Sequence, residues 1–359
     1  MAAPYVTITP DFSFDPSGVP IIEVSPSEKK SIYDSSCCLV TTSEWNPQNE
    51  SSLVLAAMLR DDLPRRIRAA LTTFCLTGRP HGGFILRGLP ILQCEIGPTP
   101  TDFVPRRTPL EVDRIDAMLL LLTGVLGDPF SFATQQLGRI ILDVFPIREH
   151  EQLGSGSTAA LEWHNEDAFH DRRADWLGML CLRNYEKAAS LFASTEDLLL
   201  DADAFELLAE DRFVIYPDVS HTQEFNETTT GRLDDPDVCR AFEERRKGRV
   251  TGRPLPVLAG NSRSPAIRID PIFMDREQMD ADAARAFDQL TQEIKRRLAA
   301  IVLEPGDLFL VDNHYAVHGR APFVARYNGT GRWLKRVNLT DRLPRPLTRT
   351  PCSLGRAIL

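Results

Sequence analysis

Residues 132–146 read FATQQLGRIILDVFP, and they mark the point where the hydrophobic period of the chain changes. Upstream, apolar residues recur at helical spacing. Here they alternate and are rich in β-branched side chains, which predicts one long strand or a strand pair. Downstream, LEWH (161–164), LGMLCLRN (177–184), DRFVIYPD (211–218), PAIRID (265–270), DLFLVDN (307–313) and RWLKRVNLT (332–340) read as further short strands. Two inserted helices interrupt them: one in STEDLLLDADAFELLAED (194–211), with Ser194 or Thr195 as cap, and an amphipathic one over 276–303. Strands and helices do not alternate as βαβ units, so a doubly wound parallel sheet is excluded in favour of a β-sandwich or jelly roll with helical decoration.

Upstream of residue 132 the pattern is helical. Leu53, Leu55, Ala56, Leu59, Leu63, Ile67 and Leu71 share a helical spacing that Pro64 interrupts, which predicts two helices, the second opening at Pro64. PLEVDRIDAMLLLLTGVL (109–126) predicts a buried helix. The first 50 residues read as an irregular arm containing a short helix, residues 51–345 as one jelly-roll domain, and 346–359 as a tail. Residues 219–255 are polar and aperiodic, and a stretch of that length in a compact enzyme is commonly a lid or binding loop.

The chain has 359 residues, 43% hydrophobic and 25% charged, with a net charge of −9. That balance argues against nucleic acid as a partner, because phosphate contacts need a basic footprint. The longest apolar run, around 117–126, is far short of the ~20 residues a membrane span requires. The opening residues lack a basic, then apolar, signal-like pattern, and the seven cysteines include no CxxC pair. A cytoplasmic protein with buried, reduced thiols is expected.

Seven histidines are the candidates for chemistry. Gly154–Ala159 (GSGSTA) matches a dinucleotide-binding pattern but is followed by a strand-like segment, so its required helix is missing. His164 and Glu166 stand two apart in a strand-like segment, where alternate residues share a face. NHYAVHGR (313–320) offers His314 or His318 as a third donor beside a buried strand. Two histidines and a carboxylate suit non-haem Fe(II), leaving positions open for a co-substrate and dioxygen. Zinc sites of this ligand type usually sit on HExxH helices, which are absent from the sequence. Fourteen residues after His318 comes Arg332, able to meet a dicarboxylate bidentately, with Arg336 four positions further on.

The segments HNEDAFHDRRADWLGMLCLRN (164–184), VDNHYAVHGRAPF (311–323) and RYNGTGRWLKRVNLT (326–340), with FATQQLGR (132–139), together resemble the clavaminate synthase-like Fe(II)/2-oxoglutarate oxygenases. The match is closest to the free arginine, citrulline and lysine hydroxylases of peptide-antibiotic pathways. The resemblance implies a double-stranded β-helix (jelly roll) core, so that the fold class is mainly β with helical decoration. It implies Fe(II) held by His164, Glu166 and His318, with His318 rather than His314 as the distal histidine. It further implies 2-oxoglutarate gripped by Arg332 with help from Ser190, and dioxygen as oxidant. The substrate α-carboxylate falls to Arg336 and the α-amine to Gln135 with Glu166, while Asp218 lies at the lid edge and Asp270 meets the far end of the side chain. Arginine hydroxylases of this type have a second carboxylate two positions after the first, where this chain has Ile272. A guanidinium desolvated against one carboxylate loses part of its compensation, so the expected order is L-citrulline, then L-arginine or L-lysine. Hydroxylation at C3 or C4 is implied, and Glu166 occupies the ligand position that a halogenase would leave vacant. Oxidative cyclisation or desaturation at the same iron, and a non-catalytic jelly-roll binding protein, are the alternatives.

Overall fold

The computed structural model describes residues 11–42, 44–104, 108–148, 161–230, 236–250, 252–343 and 356–358. The chain opens with β1 (Ser13–Phe14), β2 (Pro20–Glu23) and α1 (Pro26–Thr42), then α2 (Glu50–Leu59), α3 (Arg65–Thr77), β3 (Gly83–Arg87) and α4 (Leu110–Thr123). Five strands follow: β4 (Asp128–Phe132), β5 (Ile141–Val144), β6 (Leu161–His164), β7 (Trp176–Arg183) and β8 (Ala189–Ser194). Next come α5 (Ala202–Leu208), α6 (Gln223–Thr230), α7 (Pro236–Val250), β9 (Leu258–Ala259), β10 (Ala266–Ile267) and α8 (Ala281–Arg297). The last strands are β11 (Ala299–Val302), β12 (Leu308–Asp312), β13 (Ala316–Arg320), β14 (Trp333–Thr340) and β15 (Ala357–Ile358).

Two sheets face each other. The larger runs β1-β2-β3-β12-β7-β14-β4-β15, with β5 also paired to β14, and the smaller runs β11-β8-β13-β6. Phe192, Ile301 and Ala316 of the small sheet meet Leu177, Phe309, Val311 and Leu334 of the large one in the space between them. The outer face of the large sheet is covered by α1–α4 through residues such as Leu71, Phe74, Leu119, Leu180 and Val337. The outer face of the small sheet is covered by α5 and α8 through Leu208, Phe287, Leu290, Trp163 and Val317. This is the jelly-roll sandwich with helical decoration that the strand pattern predicts.

Local signals account for several elements. Pro64 caps α3, and Gly78 ends it at φ 63°, the left-handed conformation favoured there by glycine. Asp280 caps α8 by accepting from the N–H groups of Asp282 and Ala283, and Lys295, Arg296 and Arg297 close its last turn. Of residues 132–146, Phe132 ends β4 and Ile141–Val144 form β5; both strands pair with β14, and the residues between them make a turn in which Gln136 and Leu137 have φ of 44° and 59°.

Other segments differ from expectation. Residues 11–42 are not an irregular arm: β2 pairs in parallel with β3, and α1 packs on α4. Nor is the C-terminal stretch simply a tail, since β15 adds in parallel to β4. Residues 219–250 include α6 and α7, although their polar composition carries no helical period. The cap expected at Ser194 or Thr195 is displaced because β8 runs through Ser194, and Asp201 precedes α5 instead. The helix expected over 276–303 is α8 alone, since residues 299–302 form β11. DRFVIYPD contributes two isolated bridges, Phe213 to Leu255 and Ile215 to Met274, rather than a strand. Of the described cysteines Cys181 is buried, whereas Cys38, Cys94 and Cys239 are exposed. GSGSTA lies outside the described residues.

One buried polar cluster ties the helical layer to the strand that carries the site. Alternation along β14 sends Lys335 toward α4 and Arg336 toward the interior. The Lys335 ammonium, wholly buried, lies 3.2 Å from Asp116 of α4 and 2.9 Å from Asp143 of β5, and the Trp333 indole donates to Asp143 at 2.8 Å. Burial pushes the Asp116 carboxyl from 3.8 up to about 6, with Asp143 adding to the rise and Lys335 opposing it. Lys335→Met strands two buried carboxylates and is expected to cost about 3–5 kcal/mol in urea unfolding. The pH dependence has a definite sign. Between about pH 4 and 6 the folded Asp116 holds a proton that the unfolded chain has released, so its contribution to stability falls as pH rises through that window. Asp116→Asn therefore flattens this part of the stability–pH curve, read from thermal midpoints at pH 4.5 and 7 as round values.

Candidate active site

The small sheet sets two donors by register alone. β13 and β6 are antiparallel with His318 directly opposite His164, and their rings lie 4.7 Å apart between centroids. The third donor is not in the strand. β6 ends at His164, and Glu166 stands in the turn that follows, so the shared strand face expected for the two residues gives way to a clamped loop. Asn165 donates from its amide to the carbonyls of Asn313 and Ala316, both at 2.9 Å, and accepts from the N–H of Ile269 at 2.9 Å. Asn313 accepts from the N–H of Glu166 at 2.8 Å and donates to the Glu166 and Ala174 carbonyls. These two asparagines hold the Glu166 backbone from both sides, and sequence reasoning missed both. Their position inside the HNE and DNH triplets was the available signal.

The ligand atoms of His164, Glu166 and His318 lie within 4.8 Å of one another, close enough to share one metal ion. Glu166 Oε2 is 3.3 Å from His318 Nε2 and 3.9 Å from His164 Nε2. The Nδ1–H of His164 donates to the Glu162 carbonyl at 2.8 Å, which leaves Nε2 as the lone-pair nitrogen facing the cluster. Burial lowers the His318 imidazole below its usual range, keeping it a neutral donor. Burial alone would raise the Glu166 carboxyl, but Arg336, His318 and His164 together hold it well below the usual carboxylate range. Glu166 Oε2 is buried without a hydrogen-bond partner among the described residues, as expected of an oxygen shaped to meet a cation. His314 is elsewhere: its Nε2 meets Asp175 at 2.7 Å and its Nδ1 meets Arg173 at 3.0 Å.

Around this triad, Arg336 forms an ion pair with Glu166 and donates to Gln135 at 3.4 Å. The Gln135 amide donates to Ser220 at 3.0 Å and to Asp167 at 3.3 Å. Arg332 is buried, pairs with no carboxylate among the described residues, and its Nε lacks a partner. Burial pushes its guanidinium down to about 10. Ser190 is buried on β8, in register with Arg320 of β13, and no hydrogen bond joins it to Arg332. Asp270 and Asp218 both act electrostatically on His164, and burial together with Asp218 pushes Asp270 up to about 6. The Ile272 side chain is 65% exposed, and what it offers the site is its backbone N–H, donated to Asp270 at 3.2 Å.

Comparison with known proteins now adds to this geometry. Residues 80–338 match the family described as taurine catabolism dioxygenase TauD, TfdA family. The chain belongs to this family. Like other members of the TauD/TfdA family with this site, it is an iron(II)/2-oxoglutarate-dependent oxygenase. It is 38% identical over 292 residues to the enduracididine beta-hydroxylase of Streptomyces hygroscopicus, covering 79% of this chain and 83% of that protein. It is also 38% identical over 299 residues to the L-ornithine/L-arginine 3-hydroxylase of Catenulispora acidiphila, covering 82% and 85%. The crystal structure of the non-heme iron oxygenase OrfP with Fe, succinate and (3R,4R)-dihydroxy-L-Arg superposes with a TM-score of 0.85 at 35% identity, covering 95% of this chain and all of that one. OrfP has also been solved with Fe and alpha-ketoglutaric acid. No helix among the described residues of this TauD/TfdA-family enzyme is long and apolar enough to cross a membrane.

The asparagine clamp has a measurable role. Asn313→Ala removes the acceptor that fixes the Glu166 N–H and should weaken Fe(II) binding by about 10–100-fold, read by anaerobic titration, while β-sheet circular dichroism is retained.

Proposed function

We propose that this enzyme hydroxylates C3 of a free L-amino acid whose side chain ends in a guanidinium, L-arginine or a close relative. The observation that carries the reading is a carboxylate cluster beside the metal triad: the Asp218 carboxylate lies within 4.8 Å of ligand atoms of Asp167 and His221, and burial, with Asp218 adding to it, pushes Asp270 up to about 6. Several carboxylates compensate a desolvated guanidinium as one cannot. The names of the relatives, a beta-hydroxylase of enduracididine and a 3-hydroxylase of ornithine and arginine, support both the substrate class and the carbon.

In this reading His164, Glu166 and His318 hold iron(II), and Arg332, assisted by Ser190, holds the remote carboxylate of 2-oxoglutarate. When bound, iron(II) and 2-oxoglutarate supply the oxidation: dioxygen is consumed, 2-oxoglutarate becomes succinate and carbon dioxide, and one oxygen atom passes to the substrate. Everything else is positioning by the protein. Arg336, already fixed by Glu166 and Gln135, receives the α-carboxylate through its unpartnered Nε. Gln135 and Glu166 take the α-amine. With Asp270 and Asp218 at the other end, the substrate is stretched between two charged anchors, so the attacked carbon is selected by distance.

L-Citrulline is the second reading, favoured by Ile272 standing where arginine hydroxylases have their second carboxylate. Its ground is narrower because the Ile272 side chain points to solvent and Asp218 provides a second carboxylate from another element.

The test is an anaerobic enzyme loaded with Fe(II) and 2-oxoglutarate, given arginine, ornithine, citrulline or lysine and then dioxygen. Succinate release with a product heavier by one oxygen at C3, greatest for arginine, supports the proposal. Loss of two hydrogens indicates cyclisation or desaturation, and unimpaired Fe(II) binding by His164→Ala would overturn the metal assignment. A pH effect accompanies it. In the metal-free protein Asp270 ionises near 6, so arginine affinity should rise with pH through that value and level off above it, and Asp270→Asn should lose both the slope and about tenfold in affinity.

A further inference from the structure

A second constellation adjoins the triad without belonging to it. Asp167, immediately after Glu166, is buried at φ 51° and accepts from His221 Nε2 at 2.7 Å. The other ring nitrogen of His221 meets the Thr134 hydroxyl at 2.6 Å, and the ring packs edge-on against Phe169 and Phe132 at 4.9 and 5.4 Å. The His221 side chain is wholly buried although the turn that carries it, Val219–His221, belongs to the polar stretch expected as a lid. Asp218 caps that turn by accepting from the N–H of Ser220 at 2.6 Å. Its carboxylate lies within 4.8 Å of a ligand atom of each of Asp167 and His221. The turn is tied onward to α6, since Asn226 donates to the Ser220 and Thr222 carbonyls at 2.7 and 2.9 Å. From α7, the Arg245 guanidinium lies over the Phe169 and Phe132 rings at 5.5 and 5.9 Å.

The two sides of this contact carry different duties. On the floor, Thr134 adjoins Gln135, and Asp167 adjoins Glu166. On the covering segment, His221 is three residues from Asp218, and Ser220 accepts from Gln135. The far part of the segment is held by Phe225, buried in the main core, and by the Phe103 N–H donating to the Thr229 carbonyl at 2.9 Å, so the buried His221 ring, with both nitrogens satisfied, is the polar anchor of the end that carries Asp218.

We propose that His221 is a positioning residue that docks residues 218–230 on Asp167 and Thr134, and thereby sets Asp218 at the far end of the substrate. This rests on the substrate site described under Proposed function and adds to it the residue that holds one of its walls. His221 is not one of the three donors of the His164, Glu166 and His318 triad. Its loss leaves oxidation possible but frees the substrate's far end, so that 2-oxoglutarate is consumed without matching hydroxylation.

The test compares wild type, His221→Gln and His221→Ala. In His221→Ala, hydrogen exchange of residues 218–230 in the metal-free protein should quicken by about tenfold while β7, β12 and β14 keep their protection. In the loaded enzyme, KM for the amino acid should rise by about tenfold and the succinate-to-product ratio by about threefold. His221→Gln, whose amide can still donate to Asp167, should fall between the two on both measures. Wild-type protection and coupling in His221→Ala would overturn the proposal. Should His221→Ala not fold, Thr134→Val removes one of the two polar contacts at constant size and is judged by the same criteria. The visible charge-transfer band of Fe(II) with 2-oxoglutarate separates the levels: its absence from the wild type refutes the iron and 2-oxoglutarate assignment, whereas its presence with unchanged exchange in the variants refutes the docking role alone.

Discussion

His318 of β13 and His164 of β6 face each other across an antiparallel pair, so the separation of their rings follows from backbone hydrogen bonding. Close approach of the two strands depends on Gly319, where an added Cβ would fall 2.7 Å from the Leu161 carbonyl oxygen and 3.0 Å from the Trp163 backbone. A pair of donors fixed in this way can host a metal without reorganising, but it leaves the third donor to come from beyond the strand. Glu166 does so from a turn, which has no ladder of its own, and the Asn165 and Asn313 amides replace the missing ladder bonds. The sheet provides rigidity, and the side-chain amides extend it to the first residues outside.

The opposite wall depends on the alternation of β14. Lys335 and Arg336 are adjacent cations with opposed surroundings: one is locked between Asp116 and Asp143 under the helical layer, the other meets Glu166 in the interior. A slip of one residue would exchange them and place an ammonium in the site and a guanidinium in the helical core. The buried ion cluster is costly on its own, since each ion gives up its hydration. It bears on function through register: together with the ladders to β7, β4 and β5, the anchored Lys335 favours the alignment that turns Arg336 toward Glu166 and Gln135. Thus α4, which contributes nothing to the site directly, helps define its geometry.

Much of this was legible in the chain. The short strands over 161–184 and 307–340 pointed to the sandwich, and spacing singled out His164 and Glu166 with either His314 or His318, between which the family resemblance chose the His318 that the fold brings to the other two. Local signals failed where tertiary contacts decide. α6 and α7 are polar helices whose sequence has no strong apolar stripe, and β8 is a short strand of small residues, ASLFAS. The contact between Asp167 and His221 spans 54 residues and has no motif. Asn165 and Asn313 read as ordinary turn formers until their amides are seen to bridge 147 residues or more. Asp218, which the sequence reading placed at the lid edge, acts electrostatically on Asp270 from a different element, a relation that linear spacing does not state.

The charges of the site have a further logic. Glu166, Asp167, Asp218 and Asp270 crowd one end of the interior, and within it Arg336 makes a direct ion pair with one of them, Glu166. Burial, with Asp218 adding to it, pushes the Asp270 carboxyl up to about 6. In the proposed reading a divalent metal at the triad and a cationic amino acid between Gln135 and Asp270 would offset these negative charges. Arg332 is the inverse case, a buried cation that pairs with no carboxylate among the described residues. A site built from unbalanced charges of both signs discriminates by charge pattern before shape, since a ligand lacking one of its charges leaves a buried partner uncompensated. The acidic chain as a whole therefore says little about its ligand, whereas the segregation of a few buried charges within it is what the proposed ligand, an amino acid bearing both signs, would match.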